Sequence, residues 1–247
     1  MRLDKFICKS TSLTKAEAIA QIENGSVIVN GEVMTNNAKQ VHENNVITLA
    51  GQTLIPRASR YIMFHKPLNT ICSNVDELYP SILNFIDVDR AAELHIAGRL
   101  DADTTGLVLI TDDGRWTHTI TSPKNQCEKV YRVGLRDPIT EDAVVKLAAG
   151  VQLQGESNLT LPAKLEIVSS REVLLTIVEG RFHQVKRMFA AIGNKVRSLH
   201  RERIGAVRLD IVVESWRYLS ADEVNSFVAT DAADKSSSNT NAIPDLR

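Results

Sequence analysis

Hydrophobic and polar positions divide the chain into a short helix-rich beginning and a longer strand-rich remainder. Leu3, Phe6 and Ile7 recur at helical spacing, and Thr14 with Glu17 predicts a capping box that opens a second helix. After these helices, an Asn-Gly turn between two short apolar runs predicts a β-hairpin. We therefore expect a first module over residues 1–55, followed by a polar, proline-containing linker at 56–60.

From residue 61 onward, strand-like runs outnumber helical runs and do not alternate strictly with them. The run from Leu107 to Ile110 contains no polar residue, which is typical of an interior strand covered on both faces. This pattern predicts an α+β domain over 61–229, built on a mostly antiparallel mixed sheet with flanking helices. The tail at 230–247 is rich in Asp, Ser, Asn and Ala, so we expect it to be disordered. Further strands are expected at 129–135, 163–168, 173–178, 196–199 and 207–213, and helices at 81–86, 141–149, 184–192 and 221–228.

The loop that precedes the interior strand holds the first candidate for chemistry. Asp101 follows Arg99 closely in this loop, and glycines at 98 and 106 bracket the segment. A loop anchored on a rigid strand is a favoured place for a catalytic group, and a neighbouring cation keeps a carboxylate ionised. The alternative is a surface loop in which Asp101 caps a turn or pairs with Arg99.

A second polar segment runs from Glu179 into a predicted helix that Gly193 ends. Lys186 and Arg187 fall in the first turn of this helix, where cations interact unfavourably with the helix dipole. Their position calls for an anionic partner, which is either a phosphate or Asp101. Spacing alone does not separate the two adjacent cations as partners of the aspartate.

Composition narrows the compartment and the class of partner. The 247 residues carry a net charge of −1, but the window from Arg181 to Arg208 has eight Lys or Arg residues against one acid. Such a local excess predicts contact with a polyanion. Three dispersed cysteines indicate reduced thiols in a cytoplasmic protein and no zinc site. No apolar run is long enough for export or membrane insertion, so we expect no membrane partner.

Four motifs in order carry a resemblance to a known family. They are His65-Lys66-Pro67, the stretch from Gly98 to Gly114, Glu128-Lys129-Val130-Tyr131, and the stretch from Glu179 to Met188. With these motifs the chain, from residue 1 to about 228, resembles the pseudouridine synthases, in particular the group that includes the bacterial enzyme for 16S small-subunit ribosomal RNA. The opening Arg-Leu-Asp-Lys-Phe and the later Val-Ile-Val-Asn-Gly turn resemble the S4 RNA-binding domain.

The resemblance implies a fold, a reaction and a set of site residues. The fold is a bent mixed sheet with the active site in its central cleft, and the reaction converts a uridine to pseudouridine without cofactor or metal. Asp101 matches the essential aspartate, Tyr131 the tyrosine that stacks on the base and assists proton removal, and Lys186 the cation paired with the aspartate. Arg187 is the second choice for that pairing. Expected RNA-binding residues are Lys66, Arg99, Arg181, His183, Gln184 and Arg187 in the larger domain, and Arg2, Lys5, Lys9 and Lys15 in the first module.

The expected partner is small-subunit ribosomal RNA or an assembly intermediate that contains it, bound by a monomer. Three alternatives to this function remain open. The first is a large-subunit enzyme of the same group, and the second is a non-catalytic protein that binds ribosomal RNA during assembly. The third makes Asp101 a nucleophile in hydrolysis or phosphoryl transfer, which calls for a carboxylate cluster or a phosphate loop that the sequence lacks.

Overall fold

The structure, a computed structural model, describes residues 1–42 and 44–227, and the chain divides into two compact units at Ser59/Arg60. The expected boundary and linker at 56–60 contain this division. The predicted disordered tail at 230–247 lies outside the described residues. Within those residues, no helix has the length and apolar character that crossing a bilayer requires.

The first unit combines two helices with a small antiparallel sheet. Thr14 and Glu17 form the predicted capping box, with each side chain bonded to the other's backbone N–H. The predicted hairpin turns at Asn30 and Gly31, which have φ of 53° and 89°. The elements are α1 (Leu3–Ser10), α2 (Lys15–Glu23), β1 (Val27–Val29), β2 (Glu32–Val33), β3 (Ile47–Leu49) and β4 (Gln52–Thr53), with strand order β2-β1-β3-β4.

The second unit is built on one mixed sheet, as the sequence predicts. Its main path runs β13-β5-β7-β11-β8-β10-β9, while β6 pairs with β7 and β12 with β11. Every pairing is antiparallel except that of β7 with β11. The strands are β5 (Tyr61–Lys66), β6 (His95–Ala97), β7 (Thr105–Thr111), β8 (Lys129–Leu135), β9 (Lys164–Ser169), β10 (Glu172–Ile177), β11 (Val196–Ile204), β12 (Val207–Arg208) and β13 (Trp216–Tyr218). The helices are α3 (Gly114–Thr121), α4 (Glu141–Ala149), α5 (Gln184–Ala191) and α6 (Ala221–Asn225), with short 3-10 turns at Ile82–Phe85, Ala91–Glu93 and Pro123–Asn125.

Strand β7 lies in the middle of two apolar layers. Val108 and Ile110 belong to the larger hydrophobic cluster, whereas Leu107 and Leu109 belong to the cluster that contains Trp116. All four strand residues have no exposed surface. The prediction of an interior strand covered on both faces is therefore confirmed.

The parallel pairing of β7 with β11 requires a glycine at one position. Gly106 has φ of 111°, and a Cβ atom built there would lie 2.3 Å from the carbonyl oxygen of Arg201. No larger residue fits without separating the two strands. Gly106 thus holds the start of β7, and the loop before it, close to the centre of β11.

Some element bounds differ from the sequence-based expectation. The strand expected at 207–213 ends at Arg208, and Val212 and Val213 are exposed. Helix α6 ends at Asn225, short of the expected residue 228, which is outside the described residues. The patterns also missed α3, β6, β13 and the β3–β4 hairpin.

Candidate active site

Several segments of the second unit enclose a cavity of about 600 Å³. They include the loop between β6 and β7, residues of β8 and β11, the corner that leads from β10 into α5, and the stretch at 71–77 after β5. Seven of the residues expected at the site line this cavity, and two, Lys66 and Arg187, do not. The seven are Arg99, Asp101, Tyr131, Arg181, His183, Gln184 and Lys186.

The loop that carries Asp101 is fixed from beneath by a buried lysine. The Nζ atom of Lys66 donates to the carbonyl oxygen of Thr104 at 2.9 Å and to that of Pro67 at 3.0 Å, and contacts that of Ala102 at 3.5 Å. Lys66 has no exposed surface, and this burial lowers the pKa of its ammonium group. The expectation that Lys66 binds RNA is therefore wrong, because an ammonium without exposed surface cannot reach a phosphate.

Asp101 faces the cavity with its carboxylate one-third exposed. Lys186 donates from Nζ to Asp101 Oδ2 at 2.8 Å, and also to Asp103 Oδ1 at 2.6 Å. On the other oxygen, His183 Nε2 lies 3.5 Å from Asp101 Oδ1. One lysine thus bridges two carboxylates, and a histidine lies beside the first of them.

This bridge shifts the pKa values of Lys186 and Asp103. Burial lowers the pKa of Lys186, but its hydrogen bonds to Asp101 and Asp103 outweigh burial and raise that pKa. Burial raises the pKa of Asp103, but the hydrogen bond and the charge of Lys186, a backbone hydrogen bond and the nearby His183 together outweigh burial and lower this pKa. The ammonium and the Asp103 carboxylate therefore hold each other in the charged state.

The fold separates the two adjacent cations that spacing leaves ambiguous. Arg187 points away from the bridge and donates to Glu156 Oε1 at 3.0 Å and to the carbonyl oxygens of Gln154 and Phe182 at 2.7 and 2.9 Å. Lys186, not Arg187, is the partner of Asp101 in this structure. Arg187 instead ties the residue 154–156 loop to the start of α5.

The corner before α5 is built by polar groups that the sequence assigned to RNA. The side chain of Gln184 accepts from the N–H of Arg181 at 2.8 Å and donates to Glu179 Oε1 at 2.8 Å. Arg181 donates to Glu179 Oε2 at 3.1 Å and to the carbonyl oxygens of Asn158 and Leu159. Gln184 is buried and its amide is used within the protein, so the expectation of an RNA contact there is corrected to a role in shaping the corner.

At the mouth of the cavity two rings stack on each other. Phe182 and His183 lie with centroids 3.7 Å apart and an interplanar angle of 22°. Phe182 is 72% exposed, and His183 adopts a left-handed backbone conformation with φ of 49°. The backbone thus presents a flat ring surface beside Asp101, of the kind on which a nucleobase stacks.

An arginine that the sequence analysis did not single out holds Tyr131 in the cavity wall. Arg201 is 2% exposed and donates to the carbonyl oxygens of Leu107 and Gly98, both at 2.8 Å, and to Tyr131 Oη at 3.3 Å. Tyr131 and Arg201 are direct partners in the β8–β11 register. The sequence signal that could have identified Arg201 is its position two residues after Leu199 on the same strand, because residues two apart on a strand share a face.

The remaining expected RNA contacts lie at exposed positions, except for Lys9. Arg99 is exposed at the cavity rim. In the first unit, Lys5 and Lys15 are exposed, while Arg2 forms two hydrogen bonds with the buried Asp4 at 3.1 and 2.8 Å. Lys9, half-buried, donates to Ser59 Oγ at 2.6 Å. Across residues 1–42 and 44–227, no three His, Cys, Asp or Glu side chains are grouped as metal ligands.

Comparison with known proteins assigns the class to which this fold and site belong. The RNA pseudouridylate synthase family matches residues 60–191, and the S4 domain family matches residues 1–47. The chain belongs to the RNA pseudouridylate synthase family and carries an S4 domain at its start.

Similar proteins include two bacterial enzymes named ribosomal small subunit pseudouridine synthase A. The one from Vibrio vulnificus is 52% identical over 92% of this chain and 99% of its own length. The one from Escherichia coli is 47% identical over 92% of this chain and its entire length, 100%. A crystal structure of a pseudouridylate synthase matches with a TM-score of 0.68 and 46% identity, over 92% of this chain and 99% of that one.

Proposed function

We propose that this protein converts a specific uridine of 16S small-subunit ribosomal RNA to pseudouridine, with Asp101 as the essential residue. The observation that supports this most directly is the bridge from Lys186 to Asp101, at 2.8 Å, on the wall of a cavity of about 600 Å³. Family membership supports the reaction, and the names of the similar bacterial enzymes support the substrate.

The reaction is an isomerisation in which no atom is gained or lost overall. The bond from ribose C1′ to uracil N1 breaks, the base turns, and C1′ bonds to C5. The proton on C5 then leaves to solvent, and N1 takes up a proton. A carboxylate serves such a reaction either by attacking the ribose or by taking a ribose proton, and both roles suit Asp101. In either role Asp101 must be ionised when it reacts.

Lys186 holds the Asp101 carboxylate in place. A charge-assisted hydrogen bond joins its ammonium to that carboxylate, while the second bond to Asp103 fixes the ammonium itself. Tyr131 is buried in the cavity wall, where its ring stacks on the uracil and its hydroxyl assists removal of the C5 proton. The target uridine must leave its stack to enter, which costs a few kcal/mol that ring stacking partly offsets.

The first unit, in this proposal, captures the RNA through the exposed cations Lys5 and Lys15, with Arg2 and Lys9 beside them on the same helix-rich module. The working form is a monomer, and its substrate is ribosomal RNA or an assembly intermediate. Because ribosomal RNA is modified where subunits assemble, we place the protein in the cytoplasm.

The decisive experiment replaces Asp101 by Asn and measures tritium release from RNA labelled at C5 of uridine. We expect turnover to disappear while RNA affinity and the thermal transition stay close to those of the wild type. Asp103→Asn is the matched control, because it removes a carboxylate from the same lysine but leaves Asp101 in place; turnover should fall, since the ammonium is held less firmly, but should remain measurable. Equal turnover in Asp101→Asn and wild type would refute the assignment.

The substrate is tested with the same assay on separate RNAs. Transcribed 16S RNA, 23S RNA and a small-subunit assembly particle are each offered to the wild-type protein. Tritium release from 16S RNA or its particle supports the proposal, and release from 23S RNA alone identifies a large-subunit enzyme. No release from any of them, with RNA binding retained, identifies a non-catalytic assembly protein.

A further inference from the structure

The basic window of the sequence, from Arg181 to Arg208, contains cations that bind other groups of the protein and cations that form no ion pair. Four of its eight Lys and Arg residues form ion pairs, and Arg201 is buried on main-chain carbonyls. Lys195, Arg197 and Arg208 are exposed, and in the described part of the chain none of the three forms an ion pair. The four paired residues are Arg181, Lys186, Arg187 and Arg203.

Lys195 and Arg197 lie together in a groove, whereas Arg208 does not. The groove has a volume of about 230 Å³ and runs between α5 and the start of β11. Lys186 and Leu199 line both this groove and the active cavity, so the two concavities adjoin at these residues. We call it the β11 groove, and its lining includes Asp103, Lys186, Asn194, Lys195, Arg197 and Ser198.

The charge of the β11 groove is positive. Asp103 is its one acidic lining residue, and its carboxylate is already bonded to Lys186 at 2.6 Å. At the neighbouring strand end, Arg136 pairs with Asp137, and Arg197 also acts electrostatically on that carboxylate. Neither the ammonium of Lys195 nor the guanidinium of Arg197 forms an ion pair in the described residues, so both remain available to an anion.

A β-bulge and an asparagine side chain fix the backbone of the groove, and the bulge directs Arg197 outward. The pairing of β11 with β8 shifts register between Val196 and Ser198, so Arg197 lies in a β-bulge. A bulge turns a side chain away from the regular alternation of its strand. Asn194 holds the entry to this strand, because its side chain accepts from the N–H of Asp137 at 3.2 Å and donates to the carbonyl oxygen of Asp137 at 3.0 Å.

We propose that the β11 groove binds the phosphates of the RNA strand that continues from the uridine held in the active cavity. This inference rests on the proposed function. Lys195 supplies a point charge, Arg197 a planar fork suited to phosphate, and the Ser198 hydroxyl a neutral donor. Because the groove adjoins the cavity at Lys186, a strand whose uridine is everted into the cavity passes directly over these groups.

The test compares Lys195→Ala/Arg197→Ala with Lys124→Ala/Arg208→Ala, a control that removes the same charge from exposed positions outside the groove. Affinity for protein-free 16S RNA is measured by filter binding over a series of KCl concentrations. Each lost phosphate contact on a single strand reduces the slope of log affinity against log salt by about 0.7. We expect the groove variant to lose about 1.4 in slope and about tenfold in affinity, and the control to lose much less.

Turnover separates this proposal from the one on which it rests. The groove variant should show a raised KM with kcat at saturating RNA unchanged, because no group at Asp101 is altered. Lys195→Arg/Arg197→Lys should restore the salt slope, which a purely structural role of these residues would not predict. If the wild type releases no tritium from any RNA, the proposed function fails, while the binding series still tests the groove.

Three results would overturn the groove proposal. The first is an unchanged salt slope in the groove variant, and the second is an equal loss in the control variant. The third is a loss seen only with the assembly particle and not with protein-free RNA, which would identify an acidic protein surface as the occupant. Thermal transitions of both variants should match that of the wild type, since the substituted side chains are exposed.

Discussion

Arg201 should stabilise the second unit through bonds that no other side chain replaces. In Arg201→Met the carbonyl oxygens of Leu107 and Gly98 lose a buried donor that lies 2.8 Å from each. Leaving a buried acceptor unsatisfied costs about 1–3 kcal/mol, so two of them cost about 2–6 kcal/mol. Removal of a buried charge recovers part of this cost, and we expect a net loss of about 3 kcal/mol in the free energy of unfolding.

Urea unfolding followed by tryptophan fluorescence measures this loss of stability in the second structural unit. The chain has two tryptophans, Trp116 and Trp216, and both lie in the second unit, so the signal does not report the first. With an m-value of about 3 kcal/mol/M, the midpoint should fall by about 1 M without a change in slope. Kinetic assays below that midpoint should also show a reduced kcat, because Tyr131 loses the donor 3.3 Å from its hydroxyl.

The matched control lies on the same strand. Arg203 is partly exposed and bonds to Glu128 at 2.7 Å and to the carbonyl oxygen of Gly205 at 2.6 Å. Arg203→Met should cost about 1 kcal/mol or less, as is usual for ion pairs near the surface. The reasoning is refuted if Arg201→Met unfolds at the same urea concentration as Arg203→Met, because burial would then add nothing to these bonds.

Two further predictions follow from paired charges. Lys186→Met should lower kcat about a hundredfold, because Asp101 loses the cation that holds its carboxylate in place, whereas Arg187→Met should cost less than tenfold. Similar losses of kcat in both variants, measured by tritium release, would contradict the assignment of Lys186. Hydrogen bonds from Arg217 lower the pKa of Glu223 from 4.5 to about 2, so the stability that ionised Glu223 provides is complete above pH 4.5 and is lost as the pH falls towards 2. In urea titrations read by tryptophan fluorescence, Glu223→Gln should flatten the dependence of stability on pH in this window, and an unchanged slope would contradict it.

The elements that the sequence predicts well depend on residues only a few positions apart. The capping box at Thr14–Glu17 and the hairpin at 30–31 both form as expected. Their hydrogen bonds join near neighbours in sequence, so local residue types determine them. The interior strand is predictable for a related reason, since four consecutive apolar residues need cover on both faces.

Helix α3 shows why other elements escape such reasoning. Its sequence contains three threonines, and β-branched residues favour strands over helices. The helix forms because Asp113 caps two backbone N–H groups and because Trp116 and Ile120 pack into the core. This packing involves residues far away in the chain, such as Phe227, whose ring lies 5.2 Å from that of Trp116.

In the candidate site, too, some residues are predictable from their near neighbours in sequence, and others depend on contacts between distant parts of the chain. Asp101 is identifiable from its loop, but the choice between Lys186 and Arg187 depends on where α5 crosses the β6–β7 loop. Adjacent helix residues point about 100° apart, so only one of two neighbouring cations can face a given carboxylate. The chain position of each residue carries no information on which of them does.

Two cations that look like surface charges in the sequence, Lys66 and Arg201, are buried and bind the backbone. Lys66 binds the carbonyl oxygens of Ala102 and Thr104, on one side of the catalytic loop, and Arg201 binds that of Gly98, on the other. Both therefore hold the backbone on which Asp101 stands, from positions without access to solvent. Because these bonds go to main-chain atoms, they fix the loop whatever side chains it carries. In the reaction that we propose, a fixed loop matters because the Asp101 carboxylate must already be at its place when the uridine arrives. The positive charge of Lys66 acts in the same direction as Lys186, since it interacts electrostatically with Asp101 and Asp103. Two buried cations, Lys66 and Arg201, thus position the aspartate, the partly exposed Lys186 pairs with it, and the exposed Lys195 and Arg197 are the cations that we propose contact the RNA.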